Sequence, residues 1–430
     1  MAKKEKQHVL SDTLELTFEL SELPSSQHRA GLAGLVLMCD WVQSVGTYRG
    51  LCELARLDQF GATLRIDQAG LKDLFDEAYC ATMEEVQSER PYADKSGQKV
   101  TPKREEERET TDTKTGKKKT KAFFIYEKPV PKGAYLVDYD PTAVGSNGLW
   151  VKLWRDMVWN IFRGVPATRK PFEQRAKGLP HDDFEKAWCD LSKQSEDSVE
   201  LASTYFLGAQ AATAENVPFR DRAKYQFLLH FWPFVAQVYR PAVINNEGDR
   251  EFLGYALAIP DVADLQTFCE ELPSVLRGRG SDASGYLPRE CVVDLAVEGA
   301  LDVLWRLRDR LAKRAGGQST RDLVLAVDVI HVDKQGNNIK VLGVARLEPE
   351  IAMIDKYKLL KDTLWNPIFR RRRLLNLVNG KPWHFGFDEV LARVPYKQLF
   401  DGQSVGFRHF RHDVQLAFEE EVINGTKRER

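Results

Sequence analysis

The sequence predicts an α+β fold: a mixed N-terminal domain over residues 1–348, carrying a charged mobile insert at 92–121 and a buried hairpin, then a C-terminal helical bundle over 349–430. Three patterns predict it. Leu14, Leu16, Phe18 and Leu20 alternate with Glu15, Thr17 and Glu19, as in a strand with one buried face. Leu32, Leu35, Val36, Cys39 and Val42 recur at helical spacing. The runs "RDLVLAVDVIHV" and "IKVLGVARL" flank "DKQGNN" as the strands of a hairpin, and beyond Pro349 only helical patterns follow.

In chain order, Pro24 and Ser25-Ser26 open the first helix. The strand "ATLRI" then precedes a helix capped by Asp67, with Leu71, Leu74, Phe75 and Ala78 on one face. From Tyr92 to Lys121 large apolar residues almost vanish, so ordering that stretch would cost entropy that burial does not repay. Strand-like "AFFIYEK" and "AYLVDYD" follow, so the insert interrupts one domain. Next come the tryptophan-rich helix "LWVKLWRDMVWNIFRG" and helical patterns over Ser198–Glu215, Phe219–Tyr239 and "DLQTFCEEL". A Gly/Arg loop, "RGRGSDASG", leads to a long helix from about Arg289 to Arg314. The two hairpin strands are apolar on both faces, as in buried strands.

With 430 residues, 43% of them hydrophobic, the chain has enough material for two or three cored domains. Its N-terminus is charged and has no apolar signal region, and the most apolar tract, "FLLHFWPFVAQVY", is too short to span a bilayer. The chain reads as soluble, unsecreted and cytoplasmic, with no membrane partner. Six scattered cysteines without a C-x-x-C pair indicate neither a disulfide framework nor a zinc site.

Catalytic constellations are sparse. Asp328, His331 and Asp333 are the best local metal-ligand cluster, but an odd spacing puts Asp328 and His331 on opposite faces of a regular strand. "LPHDDF", with His181 and Asp182, has only His8 and His28 upstream to complete a metal site. "HFRHD" offers His409 and His412 at i and i+3 without a second ligand pair. No G-x-S-x-G elbow exists, and "TGKKKT" lacks the earlier glycine of a phosphate-binding loop. No cofactor is expected.

Positive charge is the stronger signal. "NPIFRRRRLLNLVNGKPW" places Arg370, Arg371, Arg372 and Arg373 in a row within a chain of formal net charge -1. A helix over Leu364–Val378 would put Leu364, Ile368, Leu375 and Val378 on one face, Arg370 and Arg373 opposite, and Arg371 and Arg372 on the flanks. Lys381, Arg393, Lys397, Arg408 and Arg411 follow, interleaved with aromatic residues. Such a basic island reads as phosphate contact; internal ion pairs are the competing reading. Arg163, Arg169 and Lys170, after the tryptophan helix, and Arg277 and Arg279, in the Gly/Arg loop, read likewise. Trp150, Trp154 and Trp159 are assigned to the core.

Three stretches, "SELPSSQHRAGLAGLVLMCDWV", "LWVKLWRDMVWNIFRGVPATRKPFEQRA" and "NPIFRRRRLLNLVNGKPW", resemble the large subunit of type I CRISPR surveillance complexes (Cascade), particularly the myxobacterial and cyanobacterial form. The resemblance implies a non-enzymatic subunit that senses the DNA motif beside the target and helps to hold the opened strands. It implies as partners a crRNA, backbone and small helical subunits, double-stranded target DNA, and helicase-nuclease or transposition factors. It also implies a longer helical tail than precedes Arg430; Met353 stands where an internally translated helical fragment would start. Two readings compete with it: a metal-dependent DNA nuclease using Asp328, His331 and Asp333, and a protein-only adaptor.

Overall fold

The leucine alternation near the start forms a strand, β1 (Thr13–Glu19), that pairs antiparallel with β3 (Gly61–Asp67); β3 pairs on its other side with β2 (Cys52–Leu57). The computed structural model describes residues 12–93, 97–111, 118–144, 148–155, 158–159, 170–180, 183–193, 198–200, 220–277, 291–314, 319–335, 338–394, 399 and 407–428. Helix α1 (Ser26–Val45) follows Ser25, and α2 (Gln68–Ala78) is capped by Asp67, whose carboxylate accepts from the Gly70 amide at 2.6 Å. Both match their sequence signals.

The main sheet has strand order β10-β9-β11-β13-β14, with β12 paired parallel to β9. These strands are β9 (Gln237–Ile244), β10 (Arg250–Phe252), β11 (Tyr255–Val262), β12 (Val292–Val293), β13 (Val324–Gln335) and β14 (Asn338–Leu347). Central β11 is buried along its whole length, apolar except for Asp261, which pairs with Arg29 and Arg346. It tolerates Pro260 because its ladder to β9 involves only Ala256–Ala258. The hairpin expectation is half met. β13 is largely buried, but β14 lies at the sheet edge with Val341, Leu342 and Val344 exposed, since the sequence does not reveal which strand ends a sheet.

Helix α1 packs against β11 and the turn at Trp232–Phe234. Its small residues allow the approach: a Cβ at Gly31 would lie 2.4 Å from the Leu228 carbonyl oxygen, and one at Gly34 2.3 Å from that of Phe231. His28, on the same helix, is buried with Nδ1 2.8 Å from Ser25 Oγ and its ring edge-on to Tyr225. Trp150 and Trp154, in the described start of the tryptophan helix (α3, Leu149–Arg155), are buried with Trp159 and Trp232. The indole N–H of Trp150 donates to the Pro233 carbonyl at 2.7 Å. The core assignment of these aromatics holds.

Other expectations need correction. The span 92–121, expected to lack regular structure, supplies β5 (Arg104–Thr111) and the start of β6 (Lys118–Pro131), in a sheet of order β4-β6-β5 with β4 (Ala81–Ser88). Its charges are matched across the sheet: Arg104 meets Glu85 and Glu106, Lys118 meets Glu109, and Arg108 lies over the Phe123 ring. The stretch Ala134–Asp140, read as a strand, turns at Gly133 (φ 74°) and forms a helical turn at Leu136–Tyr139, a short apolar run being ambiguous in period. Ser198–Glu200, read as helical, is strand β7, paired with β8 (Arg220–Arg222); the rest of that predicted helix lies outside the described residues. The predicted helix Phe219–Tyr239 shortens to Ala223–Leu228 because β9 takes over at Gln237. The predicted Arg289–Arg314 helix begins only at Glu298.

After Pro349 the described chain is helical. Helices α4 (Lys170–Ala176), α5 (Asp183–Leu191), α6 (Ala223–Leu228), α7 (Leu265–Arg277) and α8 (Glu298–Lys313) precede α9 (Ile351–Thr363), α10 (Pro367–Val378), α11 (Phe387–Arg393) and α12 (Phe410–Arg428). Helix α9 packs between α8 and α10, so α8 joins the helical region to the main sheet.

Two predictions follow from this packing. Gly34→Ala pushes a methyl against the Phe231 carbonyl and should destabilise the chain by about 1–3 kcal/mol, read from the denaturant midpoint. Burial lowers the His28 pKa from 6.5 to about 3, so the stability gained from the neutral ring is complete above pH 6.5 and lost as pH falls toward 3. Between pH 7 and 5 the native chain should lose roughly 2 kcal/mol more than His28→Phe; parallel pH profiles would contradict this.

Candidate nucleic-acid interface

Helix α10 carries the arginine run, and its start is set by local chemistry. Asn366 caps it, accepting from the Phe369 amide at 2.9 Å, and Pro367 occupies the first turn. Asp413, on α12, is fully buried and accepts from the amides of Trp365 at 2.8 Å and Asn366 at 2.6 Å. The Asn366 side chain donates to the Arg408 carbonyl at 2.8 Å. The "HFRHD" stretch therefore clasps the head of α10. His409 and His412 flank Trp365, and no cluster of metal-binding side chains occurs among the described residues.

The face of α10 differs from the periodicity expectation. Phe369 and Leu374 are buried, Leu375 is exposed, and Leu364 lies before the helix as the last cap of α9. Arg370 turns inward. Its side chain is only 15% exposed, with Nε donating to Asp294 and one terminal nitrogen donating to the Leu364 carbonyl at 3.0 Å. Arg371 donates to the Asp294 carbonyl. Arg372 lies over Gly386 (φ 73°), where a Cβ would be 2.4 Å from its guanidinium, and meets Glu389 at 2.9 Å. Arg373 sits 5.3 Å from the Trp383 ring centre.

These arginines face a buried acidic site that sequence reading missed. Asp294 and Glu298 are both buried; Glu298 accepts from the Asp294 amide at 2.7 Å and pairs with Lys361 of α9. One turn further along α8, Asp302 accepts from Tyr239 of β9 at 2.8 Å and pairs with buried Arg306 at 2.8 Å. Burial raises the Glu298 pKa, against the opposing charge of Lys361. Burial works against the Arg370 charge, but Asp294 outweighs it and the pKa rises; Arg371, with burial dominant, is lowered. The signal was present as Asp294, Glu298 and Asp302, spaced by four in the otherwise apolar "VVDLAVEGALDVL": a carboxylate stripe on a buried helix face demands cations from elsewhere.

The other predicted cations divide by exposure. Lys381, Arg408 and Arg411, in the helical region, are exposed, as are Lys170 and Arg277. Arg277 stacks 4.5 Å from the Tyr139 ring centre. Arg163, Arg169 and Arg279 lie outside the described residues, as do His181 and Asp182. The hairpin cluster does not converge: Asp328 pairs with Arg346 at 3.1 Å, and His331 Nε2 lies 2.7 Å from the Leu253 carbonyl.

Protein-family comparison places both halves of the chain in one class, the protein components of CRISPR systems. A family model described as the type I-B CRISPR Cas8b N-terminal domain matches residues 51–317, and one described as the type I-B CRISPR Cas8b C-terminal domain matches residues 324–430. The chain belongs to the Cas8b family, the large subunit of the type I-B Cascade complex. The two matches divide ahead of β13, so the hairpin that pairs with β11 falls in the C-terminal match. No curated protein matches the chain. No helix among the described residues is long and apolar enough to cross a membrane.

Arg370, paired with a buried acid, and Arg372, paired with an exposed one, should behave differently on replacement. Arg370→Ala leaves Asp294 and Glu298 short of countercharge and should cost about 3–5 kcal/mol of stability. Arg372→Ala removes a pair whose acidic partner is open to solvent and should cost no more than about 1 kcal/mol. Comparing the two denaturation midpoints checks the assignment, and equal losses would contradict it.

Proposed function

We propose that this chain is a non-enzymatic large subunit that senses the short DNA motif beside the target and helps to hold the opened strands. It would act with a crRNA, repeated backbone subunits and a small helical subunit, on double-stranded target DNA. Downstream helicase-nuclease or transposition factors would act on the opened target. In such systems base pairing with the guide reads sequence, while protein reads the adjacent motif and shape.

The observation that carries this reading is the division of basic residues within a Cas8b chain. Arg370 and Arg371 are engaged by Asp294, whereas Lys381, Arg408 and Arg411 are exposed without a carboxylate at ion-pair distance among the described residues. The proposed phosphate contacts are therefore Lys381, Arg408 and Arg411, supported by Lys170 and Arg277, with Arg163, Arg169 and Arg279 kept as candidates from sequence. Arg372 and Arg373 would contribute field more than direct contact. Lys381, Arg408 and Arg411, open to solvent, would meet phosphate without first giving up a carboxylate.

Salt dependence of DNA binding tests this. Each phosphate contact removed should lower the slope of log K against log salt by about 0.9, so Lys381→Ala/Arg408→Ala/Arg411→Ala should reduce it by about 3. An unchanged slope would contradict the assignment of these residues.

A further inference from the structure

Trp365 occupies the corner between α9 and α10, 59% exposed. Of the chain's nine tryptophans, all described, it alone is exposed; the others are buried or half-buried. A large aromatic left open to water needs a reason when the same fold buries or half-buries every other indole.

The exposed ring is firmly seated. Its backbone amide donates to buried Asp413, which also accepts from Asn366, and Asn366 in turn holds the Arg408 carbonyl. His409 meets the indole edge-on, with ring centres 5.0 Å apart at 82°, and His412 lies at 5.8 Å and 30°. His409 has φ 65°, a left-handed backbone uncommon for a non-glycine residue, though histidine is among the types that enter it most readily. Here the Asp413 amide donates to the His409 carbonyl at 3.0 Å, and the neighbouring Arg408 carbonyl is clasped by Asn366. Arg408 and Arg411 leave this same short stretch exposed.

We propose that the open face of Trp365 is a stacking platform for one unpaired nucleobase, with Arg408 and Arg411 meeting the phosphates beside it. The surroundings favour this occupant over an apolar protein surface, because two imidazoles border the ring and exposed Arg408 and Arg411 are the chain neighbours of those histidines. A π face gives affinity for any base, and flanking cations follow the backbone. The inference rests on the nucleic-acid reading above and adds to it a single-stranded ligand and a residue that touches the base.

The test uses the full chain, fluorescence anisotropy, and four labelled probes: a dT oligonucleotide, the matching U oligonucleotide, a dT oligonucleotide with abasic sites, and a duplex. Trp365→Ala should lose roughly 5- to 100-fold in affinity for the two base-bearing single strands, the range for one lost stack. It should leave the abasic and duplex affinities and the salt slope unchanged, and Trp365→Phe should retain most of the binding. The larger loss between dT and U identifies a DNA or an RNA strand as the source of the base. If the single strands bind and Trp365→Ala binds them equally well, the platform is overturned while the broader reading stands. If no probe binds the native chain, both fall. If both variants lose the duplex as well, or melt early, the role of Trp365 is structural and the proposal is wrong.

Discussion

Two carboxylates withdrawn from water, Asp294 and Glu298, govern how the C-terminal helices sit on the rest of the molecule. A buried anion is tolerated only where cations and amide groups replace its hydration. Two replacements arrive from a distance in sequence, Lys361 from α9 and Arg370 from α10 across 76 positions, and one is local, the Asp294 amide to Glu298. The guanidinium of Arg370 in turn depends on Asp294, because burial alone would disfavour its charge. Each partner makes the other affordable, and the pair sets the position of α10. Asp413 repeats the device at the head of α10, and Asn376 holds the turn after it by donating to the Trp383 and Phe385 carbonyls at 2.8 and 2.9 Å.

This arrangement connects the helical region to the sheet. Helix α8, which carries Glu298 and Asp302, touches β9, β11 and β13, and a Cβ at Gly299 would lie 2.8 Å from the Tyr239 ring. Helix α1 packs on β11 of the same sheet, and its glycines bring it close to the backbone at Leu228 and Phe231. The sheet thus packs against both α8 and α1. In the proposed role, the cations outside this internal network would be the ones to meet phosphate.

Elements with a strong local period were legible in the sequence: β1, α1, the Asp67-capped α2, β13 and the helices after Pro349. Trp150, Trp154 and Trp159 were correctly placed in the core because apolar spacing is a local property. What was not legible depended on partners far away. The charged strand β5 resembles a disordered stretch until Glu85 and Phe123 are set beside it. The exposure of β14 follows from its place at the sheet edge, which no strand pattern encodes. The arginine run showed that charge was concentrated there, but not that Arg370 and Arg371 face inward, since the acids that draw them lie on another element. Trp365 was noticed only as one aromatic among several; its exposure depends on the clasp formed by Asn366 and Asp413.

The central claim is that buried charge pairing, more than apolar contact, locks α9 and α10 to α8. Amide hydrogen exchange on Asp294→Ala, compared with the native chain, tests it most directly. The account predicts that protection falls across residues 351–378 while β11 and β13 keep theirs. Native protection across 351–378 in that variant would contradict it.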